Sequence, residues 1–279
     1  MKRHLCGLAA LLSGLGLVAG GCLVAPDEID ERDGIAQESI TFGELDGDDH
    51  PAVVLLLMDV DGEPMYRCSA TVIAPTVVLT AGHCTSNYPD PPFTGMRIFT
   101  ESDVENGDNS YPLAGNNSIE AVDWAAHPEY ENAPFFFHDV GVVLLDEPVY
   151  LDEYPQLPSL NQFDRLKPRR SNYFTAVGYG LQRINPAQVV AERVRMRANP
   201  WLVQINVPGF TGDFSLLLSN NAATGGTCFG DSGGPNFFRD TNTIAGVTSF
   251  GLNGTCGGTG GVFRLDRADV LEFVTGFLE

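Results

Sequence analysis

Thr227-Cys228-Phe229-Gly230-Asp231-Ser232-Gly233-Gly234-Pro235 decides how this chain is read. A serine between an acid and two glycines sits on a tight, exposed backbone whose N–H groups can point at a bound oxygen. Its hydroxyl is a poor nucleophile unless a neighbouring base takes the proton. A base held by a carboxylate is therefore expected elsewhere in the chain. Of five histidines, His83 lies in Val78-Leu79-Thr80-Ala81-Gly82-His83-Cys84, just after an apolar strand pattern and beside a cysteine that can pin it. Asp139, in His138-Asp139-Val140-Gly141-Val142-Val143-Leu144-Leu145, stands at the mouth of an apolar run, where a buried charge needs a partner. His50, His127 and His138 lack that setting and read as structural or surface residues.

Around these segments the sequence is written in short strands. Apolar runs rich in Val, Ile, Thr or Phe at 52–57, 70–73, 77–80, 140–145, 174–177, 202–207 and 244–250 alternate with turn clusters. Their frequency predicts an all-β sandwich or barrel. One helix closes the chain over about 266–278, with Asp266 as its cap and Val270, Phe273, Val274 and Phe277 on one apolar face. The chain has 279 residues and a formal charge of -20, and its hydrophobic fraction of 43% suffices for a packed core. A pI near 4.4 argues against a nucleic-acid partner and against electrostatic docking on anionic lipid. No fixed-period repeat is present.

Residues 1–21 are basic at the start and then uncharged, which reads as an export signal rather than as fold. The end of that segment, Leu17-Val18-Ala19-Gly20-Gly21-Cys22, resembles a bacterial lipoprotein signal, which makes Cys22 a lipidation site. Ordinary cleavage nearby and an uncleaved anchor are the other two readings, and all three place the folded part outside the cytoplasm. Residues 22–39 are acidic and weakly patterned, a tether or propeptide. With Cys6 in the signal and Cys22 lipidated, Cys68, Cys84, Cys228 and Cys256 remain. An even number in an exported chain reads as two disulfides, with three pairings open.

The three segments around His83, Asp139 and Ser232 resemble those of the trypsin/chymotrypsin-like serine peptidases, in that family's chain order. Cys68-Ser69-Ala70-Thr71-Val72-Ile73, His127-Pro128-Glu129-Tyr130, Val177-Gly178-Tyr179-Gly180 and Ser249-Phe250-Gly251 match further family segments. The resemblance runs from about Ile40 to the terminal helix. It implies two six-stranded antiparallel β-barrels, about 40–165 and 166–264, within a peptidase domain at 40–279, with the active site between them. It implies Ser232 as nucleophile, His83 as general base, Asp139 as its orienting partner, and Gly230 and Ser232 N–H as the oxyanion hole. It also chooses the pairs Cys68–Cys84 and Cys228–Cys256. The implied activity is cofactor-free serine endopeptidase chemistry on a polypeptide substrate by a monomer. A silent binding or adhesion protein on the same fold and an esterase-type acyl hydrolase are the alternatives.

By the same resemblance Gly226 lies at the base of the primary specificity pocket, where trypsin-like members carry Asp. Thr227, Ser249, Phe250, Gly251 and Gly261 complete the substrate-binding set, and the glycine walls leave the pocket open. A buried cation there lacks a counter-ion, so a neutral, apolar or aromatic residue is expected rather than Lys or Arg. Ile40-Thr41-Phe42-Gly43 resembles the new N-terminus that pairs with the acid before the nucleophile in animal members. Glu38-Ser39 precede it, not Lys or Arg. Processing by another protease and an internal cation serving Asp231 both stay open. Glu101, Asp103, Glu105 and Asp108 crowd one loop, where calcium is a secondary expectation behind a solvated acidic surface.

Overall fold

The computed structural model describes residues 42–86, 92–185 and 188–278. The signal, the tether, Cys22 and Ile40 lie outside the described residues. The strands are β1 (Glu44–Leu45), β2 (Val53–Val60), β3 (Glu63–Ala74), β4 (Val77–Thr80), β5 (Phe93–Phe99), β6 (Ser118–Ala126) and β7 (Gly141–Leu145). They continue as β8 (Arg169–Gly178), β9 (Arg183–Asn185), β10 (Gln188–Val190), β11 (Met196–Ala198) and β12 (Trp201–Val207). The last are β13 (Gly212–Asn220), β14 (Pro235–Phe238), β15 (Ile244–Gly251) and β16 (Gly258–Arg264), followed by helix α1 (Ala268–Thr275).

Two closed antiparallel barrels result. The first runs β2-β3-β4-β7-β6-β5, and the second β8-β12-β13-β16-β15-β14 is closed by the β8–β14 pairing. The all-β expectation and its two six-stranded barrels hold. Every residue of β2 is buried, because one face fills its barrel while the other lies toward the second barrel at β8. That double burial is why 52–57 reads as a continuous apolar run instead of an alternating one. A smaller apolar cluster of Phe163, Phe174, Leu202, Leu216, Leu218, Ala245 and Val262 packs the second barrel.

The C-terminal helix differs from the sequence expectation at its start. It begins at Ala268 with Arg267 in the cap position and no side-chain cap. Asp266 is instead buried, accepting Arg264 Nε (2.9 Å), Arg264 Nη2 (2.8 Å) and the Phe163 N–H (2.9 Å). A fully buried guanidinium claims a carboxylate more strongly than a helix end does. Val270 and Val274 are buried, with Phe273 and Phe277 packed on the core beside them, as the apolar face predicts.

Candidate active site

Register brings the first two site residues together. Thr80, the last residue of β4, pairs with Gly141, the first of β7. The chain leaving one strand and the chain entering the other therefore emerge side by side. His83 follows in a 3-10 turn, Gly82–Cys84, and Asp139 precedes β7 by two residues. Asp139 is fully buried and accepts the His83 backbone N–H (2.8 Å) and faces His83 Nδ1 with both oxygens (2.9 and 3.0 Å). Burial pulls the imidazole down, but the charge of Asp139 and its hydrogen bond outweigh that and hold His83 above its ordinary value.

A third donor completes the carboxylate, and sequence reading missed it. Ser249 Oγ donates to Asp139 Oδ2 at 2.5 Å. The β15–β16 register slips between Thr248 and Phe250, and this bulge re-aims the intervening side chain. The sequence marks Ser249 by its strand, and only the fold brings its hydroxyl to the carboxylate. The residue before Asp139 is also unusual. His138 has φ +49°, stacks on His127 at 5.0 Å, and reaches Glu129 (3.3 Å) and Asp269 of α1 (3.5 Å).

Ser232 sits in the loop before β14, and the geometry around it is set by its neighbours' carbonyls. Phe229 C=O accepts the Leu181 N–H (2.8 Å), Gly230 C=O accepts Ser69 Oγ–H (2.9 Å), and Asp231 C=O accepts the Gly234 N–H (2.9 Å). In a trans peptide the N–H points opposite to the C=O. The Gly230 and Ser232 N–H groups lie on the first and third of these anchored peptides. Neither makes a hydrogen bond among the described residues. Gly233 has φ +78°, and a Cβ there would stand 1.9 Å from Thr80 Oγ1, so only glycine fits beside Ser232.

Asp231 is buried beneath this loop, accepting the Gly180 and Cys228 N–H groups, each at 2.8 Å. Burial pushes its carboxyl up to about 6, against those two donors and the charge of Arg67. Arg67 is the cation nearest in influence, and its buried Nη1 has no partner among the described residues. Cys68–Cys84 and Cys228–Cys256 are both formed. One braces the backbone at His83 and the other ties the segment before Ser232 to the β15–β16 connection.

His83 and Ser232 line one cleft of about 500 Å³. Of the expected substrate-binding set, Thr227, Ser249, Phe250 and Gly251 line it as well. Gly226 and Gly261 are not among the residues lining it. A Cβ on Gly261 would meet Phe250 Cζ at 2.3 Å, so the space left by that glycine houses an aromatic ring rather than substrate. The run Phe135-Phe136-Phe137 was also missed, although three aromatics in a loop next to His138-Asp139 are visible in the sequence. Phe135 stands edge-on to His83 at 5.9 Å, and Phe136 packs on Phe210 (5.0 Å) and Phe250 (5.2 Å).

Three of the four carboxylates in the acidic loop are already engaged, those of Glu101, Asp103 and Glu105. Glu101 accepts the Asp108 N–H and the Asn109 and Asn117 amides, Asp103 accepts the Asn106 N–H, and Glu105 pairs with Arg193. Among the described residues the one group of three potential metal ligands is Cys68, His83 and Cys84, whose cysteines are disulfide-bonded.

The trypsin family model matches residues 47–267, and the chain belongs to that family. A trypsin of Saccharopolyspora erythraea is 30% identical over 221 residues, covering 77% of this chain and 87% of its own. Among solved structures, HL collagenase superposes with a TM-score of 0.64 at 19% identity, over 84% of this chain and 97% of that one. An inactivated protease paralogue of the scabies mite gives 0.63 at 18%, over 85% and 96%. These likenesses establish the fold, and the family membership makes the chain a serine-type endopeptidase.

Proposed function

We propose that this peptidase works through Ser232, His83 and Asp139. Ser232 Oγ attacks the scissile carbonyl while His83 Nε2 takes its proton and then delivers it to the leaving amine. Asp139 holds the ring with its Nδ1–H inward and stabilises the imidazolium. The free N–H groups of Gly230 and Ser232 receive the oxyanion, and water then hydrolyses the acyl-enzyme. The observation that carries the reading is the buried Asp139, which fixes His83 through backbone and ring in the cleft that also holds Ser232.

Gly226 in place of an acid supports a neutral residue at the primary pocket. The rings of Phe135 and Phe250 that line the cleft support apolar residues around it. Basic residue 2 and 3 followed by an uncharged stretch, together with two disulfides, support export with a lipid anchor at Cys22. Processing at Ile40 would add an ammonium able to pair with Asp231.

A fluorophosphonate probe tests the central claim. Covalent labelling of the wild type, abolished in Ser232→Ala, is expected. No labelling of the chain before or after processing at Ile40 makes it a binding protein on this fold. With His83 held above 6.5, kcat/KM should rise with pH through a value above 6.5, since the base must be neutral.

A further inference from the structure

The floor of the cleft holds a buried polar atom that the catalytic reading leaves unused. Asn220, the last residue of β13, pairs with Gly258 of β16 and is 1% exposed. Its Nδ2 donates to the Thr227 C=O at 2.7 Å, which fixes which end of the amide is which. Its Oδ1 is buried and accepts nothing among the described residues. Buried acceptors are nearly always paired, so one at the wall of a cleft calls for a donor.

Its place is informative. A Cβ on Gly226 would stand 2.3 Å from Asn220 Cγ and 2.6 Å from Oδ1. The amide therefore occupies the space that a side chain at 226 would fill, and the head group at the pocket base comes from Asn220. The Thr227 hydroxyl faces the same region, 3.1 Å from where a Cβ of Gly260 would be. Asn220, Thr227 and Gly260 all line the cleft, and no carboxylate does so among the described residues.

We propose that Asn220 determines primary specificity by accepting a hydrogen bond from an uncharged substrate side chain, with the carboxamide of glutamine as the best match. This deepens the peptidase reading and rests on it. A carboxamide N–H meets Asn220 Oδ1 while its C=O takes the Thr227 hydroxyl. Methionine has similar length but leaves the acceptor unpaired, and a lysine or arginine brings a charge with no counter-ion. The terminal torsion of an asparagine is broad, which lets the amide turn Oδ1 toward an entering donor.

The test compares reporter peptides identical except for glutamine or methionine before the scissile bond, with active enzyme counted by fluorophosphonate titration. Wild type should cleave the glutamine reporter about tenfold faster in kcat/KM. Asn220→Leu, of similar size, should bring that ratio to about one. Equal rates in the wild type, or an unchanged ratio in N220L, overturn the proposal. The wild-type ratio needs no variant, so a misfolded N220L does not shelter it. Absence of labelling in the wild type defeats the peptidase reading itself, whereas labelling without glutamine preference defeats only the role of Asn220.

Discussion

Two histidines in this molecule are held by a buried aspartate in nearly the same way. His83 meets Asp139 through its backbone N–H (2.8 Å) and Nδ1 (2.9 Å), and His50 meets Asp46 through its backbone N–H (3.1 Å) and Nδ1 (2.5 Å). The difference lies in what else the carboxylate holds. Asp139 takes a neutral hydroxyl from Ser249, so its charge has no fixed cation and is free to favour an imidazolium. Asp46 takes the buried guanidinium of Arg195, which also donates to Val53 C=O (2.8 Å) and Gly47 C=O (2.6 Å). His50 stacks on Phe237 and borders a cleft of about 680 Å³, larger than the one holding Ser232. Hydrogen-bond pattern and cavity size therefore do not set the proposed catalytic pair apart from the other. Charge balance at the carboxylate and a nucleophile in the cleft do.

Replacing each aspartate should separate the two pairs most sharply. Asp139→Asn should lower kcat about 10⁴-fold with little change in unfolding, the loss known for this change in the family's triad. Asp46→Asn should instead cost about 3–5 kcal/mol of stability by stranding Arg195, and leave kcat of folded enzyme within about tenfold. Denaturant unfolding and titrated activity on both variants check this. A catalytic collapse in stably folded D46N would erase the distinction.

Asp231 extends the comparison to a buried carboxylate with no histidine and no cation within ion-pairing distance among the described residues. Its folded value of about 6 lies above the ordinary 3.8, so it binds its proton more tightly in the fold. The resulting stability is fully present below about 3.8 and is lost as pH rises through about 6. Over that window the loss amounts to roughly 3 kcal/mol. Asp231→Asn should flatten the fall, so the variant gains on wild type between pH 4 and 7 in thermal unfolding. Parallel curves would mean that the carboxyl is better compensated than its surroundings indicate.

Ser249→Ala should have a smaller effect. It removes one donor from Asp139 but keeps the strand, so kcat should fall about tenfold with KM unchanged. A rise in KM alone would assign Ser249 to substrate binding and not to the carboxylate.

What the sequence disclosed follows from locality. His83, Asp139 and Ser232 each stand in a contiguous motif, and the barrels show wherever a strand is buried on both faces, as in β2 and β7. Strands β13 and β16 were harder, since glycines and serines dilute their apolar signal. The hidden site features are pairings made only by the fold. Ser249 reaches Asp139 across 110 positions because of a bulge, and Arg195 reaches Asp46 across 149. Asp266 looked like a cap because nothing local announces that Arg264 is buried and claims it.

The smallest effect concerns the residue before Asp139. His138 holds a left-handed backbone conformation, φ +49°, which asparagine adopts readily and valine resists. Its contacts to Glu129 and Asp269 are partly exposed, and such pairs contribute about 0–1 kcal/mol. The backbone requirement should therefore outweigh the ionic one. His138→Asn should keep kcat within about threefold, while His138→Val should lower kcat further and cost about 1–3 kcal/mol. Steady-state kinetics on the two variants, with Asp269→Asn as a third, decide between backbone and charge. If H138N and D269N lose as much activity as H138V, the ion pairs with α1 place Asp139 and the strained turn is their consequence.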